Sequence, residues 1–113
     1  MTSHAQTWVA VLDIVGLTPD EYDAVLRKMD VERTPASGIY LHIAAPLDKE
    51  AGIRVIELWD SKDGFESFIQ SHMLPAAQAL GLQRETTVTI TPLLNAFAPR
   101  SLEIATLPQT RVK

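Results

Sequence analysis

The chain of 113 residues contains no cysteine. Without thiols it can form neither a disulfide framework nor a thiolate metal site, and it has no cysteine nucleophile. Its five glycines are scattered, so it also has no glycine-rich loop for a phosphate group. The three histidines, His4, His42 and His72, lack the paired spacing of metal ligands, and we therefore expect no metal ion.

Long apolar runs and clusters of basic residues are absent as well. No stretch approaches the roughly 20 apolar residues that span a bilayer, and the first residues lack the basic segment of a signal peptide. Ten lysines and arginines are scattered over a chain of net charge −4, so we expect neither nucleic acid nor a membrane as a partner. A chain of this length suits one domain, which we expect to be cytoplasmic.

The stretch from Ser37 to Asp60 holds two β-rich runs around a polar connector, which is typical of an antiparallel hairpin. Because side chains alternate along a strand, we expect one apolar and one polar, aromatic face. The apolar face, which we expect beneath the helices, would hold Ile39, Leu41, Ile43, Ile56, Leu58, Val88 and Ile90. The other face would hold Tyr40, His42, Glu57 and Trp59.

The remaining elements follow from local signals. Residues 7–15 are β-branched and apolar, which predicts a first strand. Thr18 and Pro19 then form the start signal of a helix, whose apolar stripe includes Tyr22. A second helix follows the hairpin, with a break expected before Pro75, and the alternating residues 84–94 predict the last strand.

This order predicts a ferredoxin-like α+β fold, βαββαβ, in which a four-stranded antiparallel sheet carries two helices on one face. The domain would span residues 1–94. Residues 95–113 form an extension in which alternation over 101–107, between two prolines, predicts a short strand. We expect that strand to pair with an open sheet edge, either of its own subunit or, as we favour, of the partner subunit. Phe97 would then brace the interface or the pocket rim, and residues 109–113 would fray into solvent. The alternative is a disordered tail.

Four segments within residues 7–94 carry a resemblance to a known superfamily. They read Gly-Ile-Tyr-Leu-His-Ile-Ala from 38, Arg-Val-Ile-Glu-Leu-Trp-Asp-Ser from 54, Phe-Glu-Ser-Phe from 65 and Leu-Pro-Ala-Ala from 74. The chain resembles the small proteins of the dimeric α/β-barrel superfamily, which includes the antibiotic-biosynthesis monooxygenases. The resemblance implies a homodimer whose sheets pack face to face, with a pocket in each subunit between sheet and helices or within the barrel.

The resemblance also implies a range of functions. Oxygenases of this superfamily oxidise aromatic polyketides without metal or flavin, holding a substrate anion with Asn, Trp, Tyr, His or Arg side chains, and His42 and Trp59 fit that set. Other members are cyclases, isomerases, lactone-acting enzymes, haem degraders or simple binders, so the fold alone does not choose.

His42 and Glu57 are the candidate catalytic residues. Histidine changes charge near neutral pH, so His42 suits a general base, and its alternative role is a buried side chain bonded to a neighbour. A carboxylate in mid-strand, as at Glu57, is either paired, for instance with His42, or has a binding or catalytic task.

Four further residues are candidates for substrate binding. Tyr40 and Trp59 would orient an aromatic ring, although Trp59 suits a dimer-interface core equally well. Asp13 interrupts an apolar strand. It would either join the pocket or be a carboxylate at a strand end or sheet edge. His72 lies in the stripe of the second helix, where most histidines serve packing.

We therefore expect a homodimer that acts on a small aromatic or polyketide-like molecule without a metal ion, as a cofactor-independent monooxygenase, cyclase or isomerase. Proton abstraction by His42, assisted by Glu57, would be the first step. The alternatives are a non-catalytic ligand-binding or stress-related barrel and a purely structural dimer. An open pocket that brings the polar residues together would favour the first two over the last.

Overall fold

Four strands and four helices follow one another along residues 6–31 and 34–108, the part of the chain that the computed structural model describes. In chain order they are β1 (Trp8–Val15), α1 (Pro19–Met29), β2 (Ile39–Pro46), β3 (Gly52–Trp59), α2 (Lys62–Phe68), α3 (Leu74–Ala79), β4 (Thr86–Pro92) and α4 (Ser101–Ile104). The strands form one antiparallel sheet in the order β2-β3-β1-β4, with helices packed on one face. The predicted ferredoxin-like α+β fold is confirmed.

The first helix begins where the sequence predicts. The Thr18 hydroxyl accepts a hydrogen bond from the backbone N–H of Glu21, and the Glu21 carboxylate accepts one from the backbone N–H of Thr18. This capping box satisfies two of the backbone groups that a helix start leaves without partners. At the other end Asp30 adopts a left-handed conformation with φ of 59° and closes the helix.

The break expected before Pro75 is a change of helix type. A π-helical segment, Ile69–Met73, joins α2 to α3 without interrupting the helical backbone, and the N–H of Leu74 donates to the carbonyl of Ile69. Proline has no N–H to give to the carbonyl four residues earlier, and a wider turn accommodates the missing bond. Residues 62–79 therefore form one continuous helical segment.

The core lies between the sheet and these helices. Trp59, Phe65 and Leu12 are its largest fully buried side chains. The Trp59 indole packs against the rings of Phe65 and Phe68, with centroids 5.8 and 5.6 Å apart, and thereby fixes α2 on β3. Aromatic pairs of this kind contribute about 0.5–1.5 kcal/mol each beyond their buried area.

The two faces of the hairpin are exchanged relative to the sequence prediction. His42, Glu57 and Trp59 lie on the helix-covered face, whereas four aliphatic residues expected there, Leu41, Ile43, Ile56 and Leu58, lie on the uncovered face. Both faces of the central strands are rich in apolar residues, so alternation alone does not determine which one the helices cover. Ile39 and Ile90 pack against the core as expected.

The C-terminal extension does not form the predicted strand. Residues 101–104 form the short helix α4, and backbone hydrogen bonds continue the turn from Glu103 to Thr106 and from Ile104 to Leu107. The bidentate ion pair between Arg100 and Glu103, three residues apart, supports a helical turn and has no counterpart in a strand. Phe97 is 85% exposed, and residues 109–113 lie outside the described part of the chain.

The start of β3 depends on Gly52, whose φ is +144°. A Cβ atom there would collide with the backbone oxygen of Ile14 and the side chain of Leu47. We expect Gly52→Ala to lower the free energy of unfolding by about 3 kcal/mol, measured by urea denaturation. Gly81→Ala is the matched control, because Gly81 also has a positive φ but its added Cβ would meet no atom within 4 Å, and its cost should stay near 1 kcal/mol. Equal losses for the two variants would contradict this account.

Candidate functional site

A cavity of about 1110 Å³ lies between the helix-covered face of the sheet and the helices. Its walls are mainly aliphatic and come from all four strands, α1, the π-helical segment and α3. Pockets for small molecules have volumes of roughly 300–1,000 Å³. The cavity is therefore large enough for a ligand of several fused rings, and its walls favour an apolar one.

A chain of hydrogen bonds runs along one wall of this cavity. His42 on β2 faces Glu57 on β3 in the strand register, and the distance from His42 Nδ1 to Glu57 Oε2 is 2.7 Å. The Trp59 indole N–H donates to the other carboxylate oxygen, Oε1, at 2.8 Å. On the far side of the imidazole, the Tyr22 hydroxyl lies 2.5 Å from His42 Nε2. Tyr22, His42 and Glu57 all line the cavity.

The donors and acceptors along this row of hydrogen bonds determine where its protons lie. The Trp59 indole can only donate, so Glu57 Oε1 accepts. An ionised carboxylate accepts at both oxygens, so His42 carries its proton on Nδ1 and gives that hydrogen bond to Oε2. Nε2 of the neutral ring is then the acceptor for the Tyr22 hydroxyl. The basic nitrogen of His42 therefore points away from Glu57 and toward Tyr22.

Glu57 is the one charged side chain that is buried among the described residues, with 6% of its surface exposed. A buried carboxylate is costly unless hydrogen bonds compensate for the lost water. Glu57 has two such donors, and no buried side-chain polar atom in the described part of the chain lacks a partner. The polar site is thus compatible with the apolar core around it.

An irregularity in β2 aligns His42 with Glu57. Ile39 is paired with Trp59 and Leu41 with Leu58, so Tyr40 is an extra residue in the ladder. Such a bulge shifts the alternation of the strand. Tyr40 is 67% exposed and is not among the described residues that line the cavity, so it does not share the site with His42 as the alternation predicts.

Asp13 also lies away from the cavity, on the uncovered face of the sheet. Arg54 lies directly opposite on β3. Its Nε and Nη2 each donate a hydrogen bond to one carboxylate oxygen of Asp13, at 2.7 and 2.8 Å. These hydrogen bonds lower the pKa of Asp13 below its ordinary value of 3.8. The register of β1 and β3 therefore makes Asp13 half of a cross-strand ion pair.

His72 lies in the π-helical segment, with its ring 5.3 Å from that of Phe68. It borders a second, shallower depression of about 420 Å³. Serine side chains line much of this depression, together with Asp60 and one side of Trp59. His72 is thus separate from His42, and the two imidazoles do not share the large cavity.

Trp59 has a different place from the one expected of it. Its indole is 1% exposed and packed among phenylalanines, so it neither offers a face to a ligand in the large cavity nor reaches the uncovered face of the sheet. Its N–H instead holds Glu57. Trp59 is a positioning residue for the carboxylate.

Tyr22 is the member of the site that sequence reasoning missed. Its spacing within α1 matches the apolar stripe, so it reads as a core residue. The missed signal is its hydroxyl, because a buried tyrosine usually finds a hydrogen-bond partner. An imidazole and a carboxylate expected on the sheet below were available to provide one.

The C-terminal extension contributes to the same cavity. Ile104, Ala105, Leu107 and Pro108 lie along its wall. These four residues of the extension therefore border the subunit's own cavity, and the described residues give no strand for a partner's sheet to receive.

Two other kinds of site are not found in residues 6–31 and 34–108. No helix there is long and apolar enough to cross a membrane. No three side chains among His, Asp and Glu come together in a way that could hold a metal ion.

Comparisons with known proteins bear on the fold. No family model and no curated protein sequence matches the chain. Among solved structures, a protein of unknown function from Nitrosomonas europaea superposes with a TM-score of 0.62 at 14% identity, over 86% of this chain and 98% of that one. A variant of SnoaB, a cofactor-independent oxygenase from Streptomyces nogalater, gives 0.58 at 18% identity, over 85% and 99%.

A protein from Chloroflexus aurantiacus assigned as an antibiotic biosynthesis monooxygenase has a TM-score of 0.56 at 15% identity, over 80% of this chain and 97% of its own. These similarities support the ferredoxin-like fold of the chain. Identities this low do not carry an activity from one protein to another.

The hydrogen bonds to Glu57 make a prediction for Glu57→Leu. The leucine side chain accepts no hydrogen bond, so the buried indole N–H of Trp59 and Nδ1 of His42 both lose their partner. We expect the free energy of unfolding to fall by about 1–3 kcal/mol in urea denaturation. Glu66→Leu, at an exposed position on α2, is the matched control and should change stability by less than about 0.5 kcal/mol. A Glu57 variant as stable as the control would contradict the described bonding.

The wall formed by residues 104–108 makes a second prediction. Deleting residues 96–113 removes that wall, and we expect a hydroxyanthraquinone to bind about tenfold more weakly in a titration of its visible absorbance. Loss of roughly 55 Å² of apolar contact, at about 25 cal/mol per Å², accounts for a factor of that size. Deleting only residues 109–113 is the control, because it keeps residues 104–108 in the chain. Unchanged affinity in the longer deletion would show that the extension is dispensable to the site.

Proposed function

We propose that the protein is a homodimeric enzyme that takes a proton from a small aromatic or polyketide-like molecule, with His42 as the base and without a metal ion or other cofactor. The observation that carries this proposal is the imidazole of His42, held by Glu57 in one orientation inside a large apolar cavity. Carboxylate-oriented histidine is a recurring arrangement in general-base catalysis. The reaction that fits best is a cofactor-independent monooxygenation, and a cyclisation or isomerisation would share the first step.

The cavity supports an aromatic substrate. Its aliphatic walls favour a ligand with large apolar surface, whereas its few polar groups, His42 and Tyr22 among them, suit one acidic hydroxyl or activated C–H group. The structural similarity to SnoaB, a cofactor-independent oxygenase, agrees with this chemistry. The carboxylate of Glu57 lies 2.7 Å from Nδ1 and so faces the imidazole ring on the side away from Tyr22.

The electrons and atoms of the oxygenation balance between the substrate and O₂, so the protein needs no redox group. Loss of a proton from the CH₂ group of an anthrone leaves a delocalised anion, which can give electrons directly to O₂. In the complete reaction one atom of O₂ becomes the new carbonyl oxygen, and the other leaves as water with the two hydrogens of the CH₂ group. The protein's part is to bind the ring system, accept the first proton and stabilise the anion.

A non-catalytic ligand-binding protein is the second candidate. It is favoured by the full use of both His42 nitrogens in hydrogen bonds within the chain. Such a site could hold an aromatic ligand in place without ever exchanging a proton with it. Turnover of a reactive substrate separates the two functions.

The uncovered face of the sheet supports the homodimer. Two rows of aliphatic side chains cross it, namely Val9, Leu58 and Leu41, and Val11, Ile56 and Ile43. Described helices cover only the opposite face, so these rows form a contiguous apolar patch of the kind that soluble monomers rarely expose. A second copy of the chain, placed face to face, buries the patch and leaves the cavity of each subunit intact.

The role of His42 as a base can be tested with dithranol, a tricyclic anthrone. We expect His42→Ala to reduce O₂ uptake and anthraquinone formation by a factor on the order of 10²–10⁴, because general-base catalysis contributes that much. His72→Ala is the matched control, since His72 lies outside the large cavity, and it should leave the rate within about twofold. Turnover by His42→Ala at the wild-type rate would refute the role of His42. Absence of turnover in the wild type, with the anthraquinone product still bound, would favour the ligand-binding function.

The homodimer can be tested at Ile43, which is 47% exposed in the single subunit, so that a polar replacement there stays in contact with water in a monomer. We expect the wild type to be a dimer in light scattering at micromolar concentration, burying on the order of 1,600 Å² in total. Ile43→Glu would place two carboxylates in the apolar interface and give monomers. Gln70→Glu adds the same charge at an exposed position and should remain dimeric. A monomeric wild type would refute the homodimer.

A further inference from the structure

We infer that Tyr22 is the group that takes the proton from the bound molecule, and that His42 and Glu57 act on the substrate through it. This inference rests on the proposed function and adds a catalytic residue to it. The hydrogen-bonded unit that carries it is Tyr22–His42–Glu57, held by Trp59.

Both ring nitrogens of His42 are engaged in hydrogen bonds. Its Nδ1 is engaged by Glu57 at 2.7 Å and its Nε2 by the Tyr22 hydroxyl at 2.5 Å. A neutral imidazole has one donor and one acceptor, and both are used here. A substrate hydroxyl can therefore reach the basic nitrogen of His42 only by displacing Tyr22 or by exchanging a proton with the Tyr22 hydroxyl.

Tyr22 is held in place by its ring and by the neighbouring turn of α1. Its ring stacks on the imidazole of His42, with centroids 5.9 Å apart and planes inclined by 27°. The neighbouring residue, Glu21, closes the capping box of α1 and also accepts a hydrogen bond from Nη2 of Arg84 at 2.5 Å. Hydrogen bonds from Arg84 and Thr18 lower the pKa of Glu21 below its ordinary value of 4.5, so these contacts persist at neutral pH. Displacing Tyr22 would disturb this anchored turn, whereas proton exchange leaves it in place.

The proton movements balance within the unit. In the resting state Tyr22 donates its O–H to Nε2 of neutral His42. As a substrate proton moves to the Tyr22 oxygen, the proton of Tyr22 moves to Nε2, and the electron pair remains on the substrate as an anion. His42 is then an imidazolium between the carboxylate of Glu57 and the hydroxyl of Tyr22, and Tyr22 is again neutral.

This arrangement also defines the substrate more closely. The Tyr22 hydroxyl that remains after the transfer can donate a hydrogen bond to an oxygen anion next to it, as donors do in an oxyanion hole. The unit therefore suits a phenol or enol, or an anthrone that reacts as its enol tautomer and gives up an O–H proton, so that the charge forms on the oxygen next to Tyr22. A substrate whose charge stays on a carbon distant from any oxygen would gain nothing from this donor.

The chain has only two tyrosines, which makes the test direct. Tyr22→Phe keeps the ring that stacks on His42 and removes only the hydroxyl. Tyr40→Phe is the matched control, since Tyr40 is exposed in the β2 bulge. The probe is 4-nitrophenol in slightly acidic buffer, where the free phenol is mostly neutral and its yellow anion reports proton loss in the bound state.

We expect 4-nitrophenol to become ionised on binding to the wild type and to Tyr40→Phe, and to stay neutral in Tyr22→Phe and His42→Ala. For dithranol, Tyr22→Phe should lose turnover by a factor on the order of 10²–10⁴, and the double variant Tyr22→Phe, His42→Ala should lose no more than either single variant, because the two residues act as one unit.

The other outcomes separate the two proposals. Ionisation of 4-nitrophenol and turnover of dithranol at the wild-type level in Tyr22→Phe, with both lost in His42→Ala, would overturn the role of Tyr22 and leave His42 as the direct base. No binding, or no ionisation, in the wild type would overturn both proposals, and so would ionisation that persists in His42→Ala.

A second measurement reports contact with Tyr22 and does not depend on a variant of that residue. In Tyr40→Phe, incorporation of fluorotyrosine labels Tyr22 alone, and its ¹⁹F resonance should shift when 4-nitrophenol is added. In Tyr40→Phe, His42→Ala the shift should change in size, because the fluorophenol has lost its imidazole partner. A resonance that does not respond to saturating 4-nitrophenol would overturn contact between Tyr22 and the ligand.

Discussion

The structure depends on the burial of one carboxylate. Glu57 lies in the middle of β3 beneath the helices, where an ion without hydrogen-bond donors would be strongly destabilising. Its two oxygens require two donors, and the chain supplies them as the Trp59 indole and the His42 imidazole. That requirement links the aromatic core on one side to the cavity on the other. The proton position on His42, and with it the chemistry proposed for the site, follows from the same requirement.

The fold was predictable because its signals are local. Thr18 and Pro19 mark the start of α1, alternating apolar residues mark the strands, and Pro75 marks the change of helix type. The pairing of His42 with Glu57 was also within reach, since the two residues lie on adjacent strands of one hairpin. Each of these inferences needs only residues that are near in sequence or paired by a short turn.

The features that were not predictable depend on contacts distant in sequence. An extra residue at Tyr40 reverses the alternation of β2, and no short pattern in the sequence announces a bulge. Which face the helices cover was equally hidden, because aliphatic residues occupy both faces. Tyr22 belongs to the site only through packing of α1 on β2, and the extension at 101–104 adopts a helix where alternation suggested a strand.

The central claim is that Glu57 holds His42 in the tautomer with its proton on Nδ1, which leaves Nε2 as the base. Nitrogen-15 NMR distinguishes the two ring nitrogens directly, at about pH 8 where free histidine is neutral. The resonances of His42 are identified by their loss in His42→Asn. The account predicts a protonated Nδ1 and an unprotonated Nε2 in the wild type. A proton on Nε2, or rapid exchange between the two tautomers as in free histidine, would contradict it.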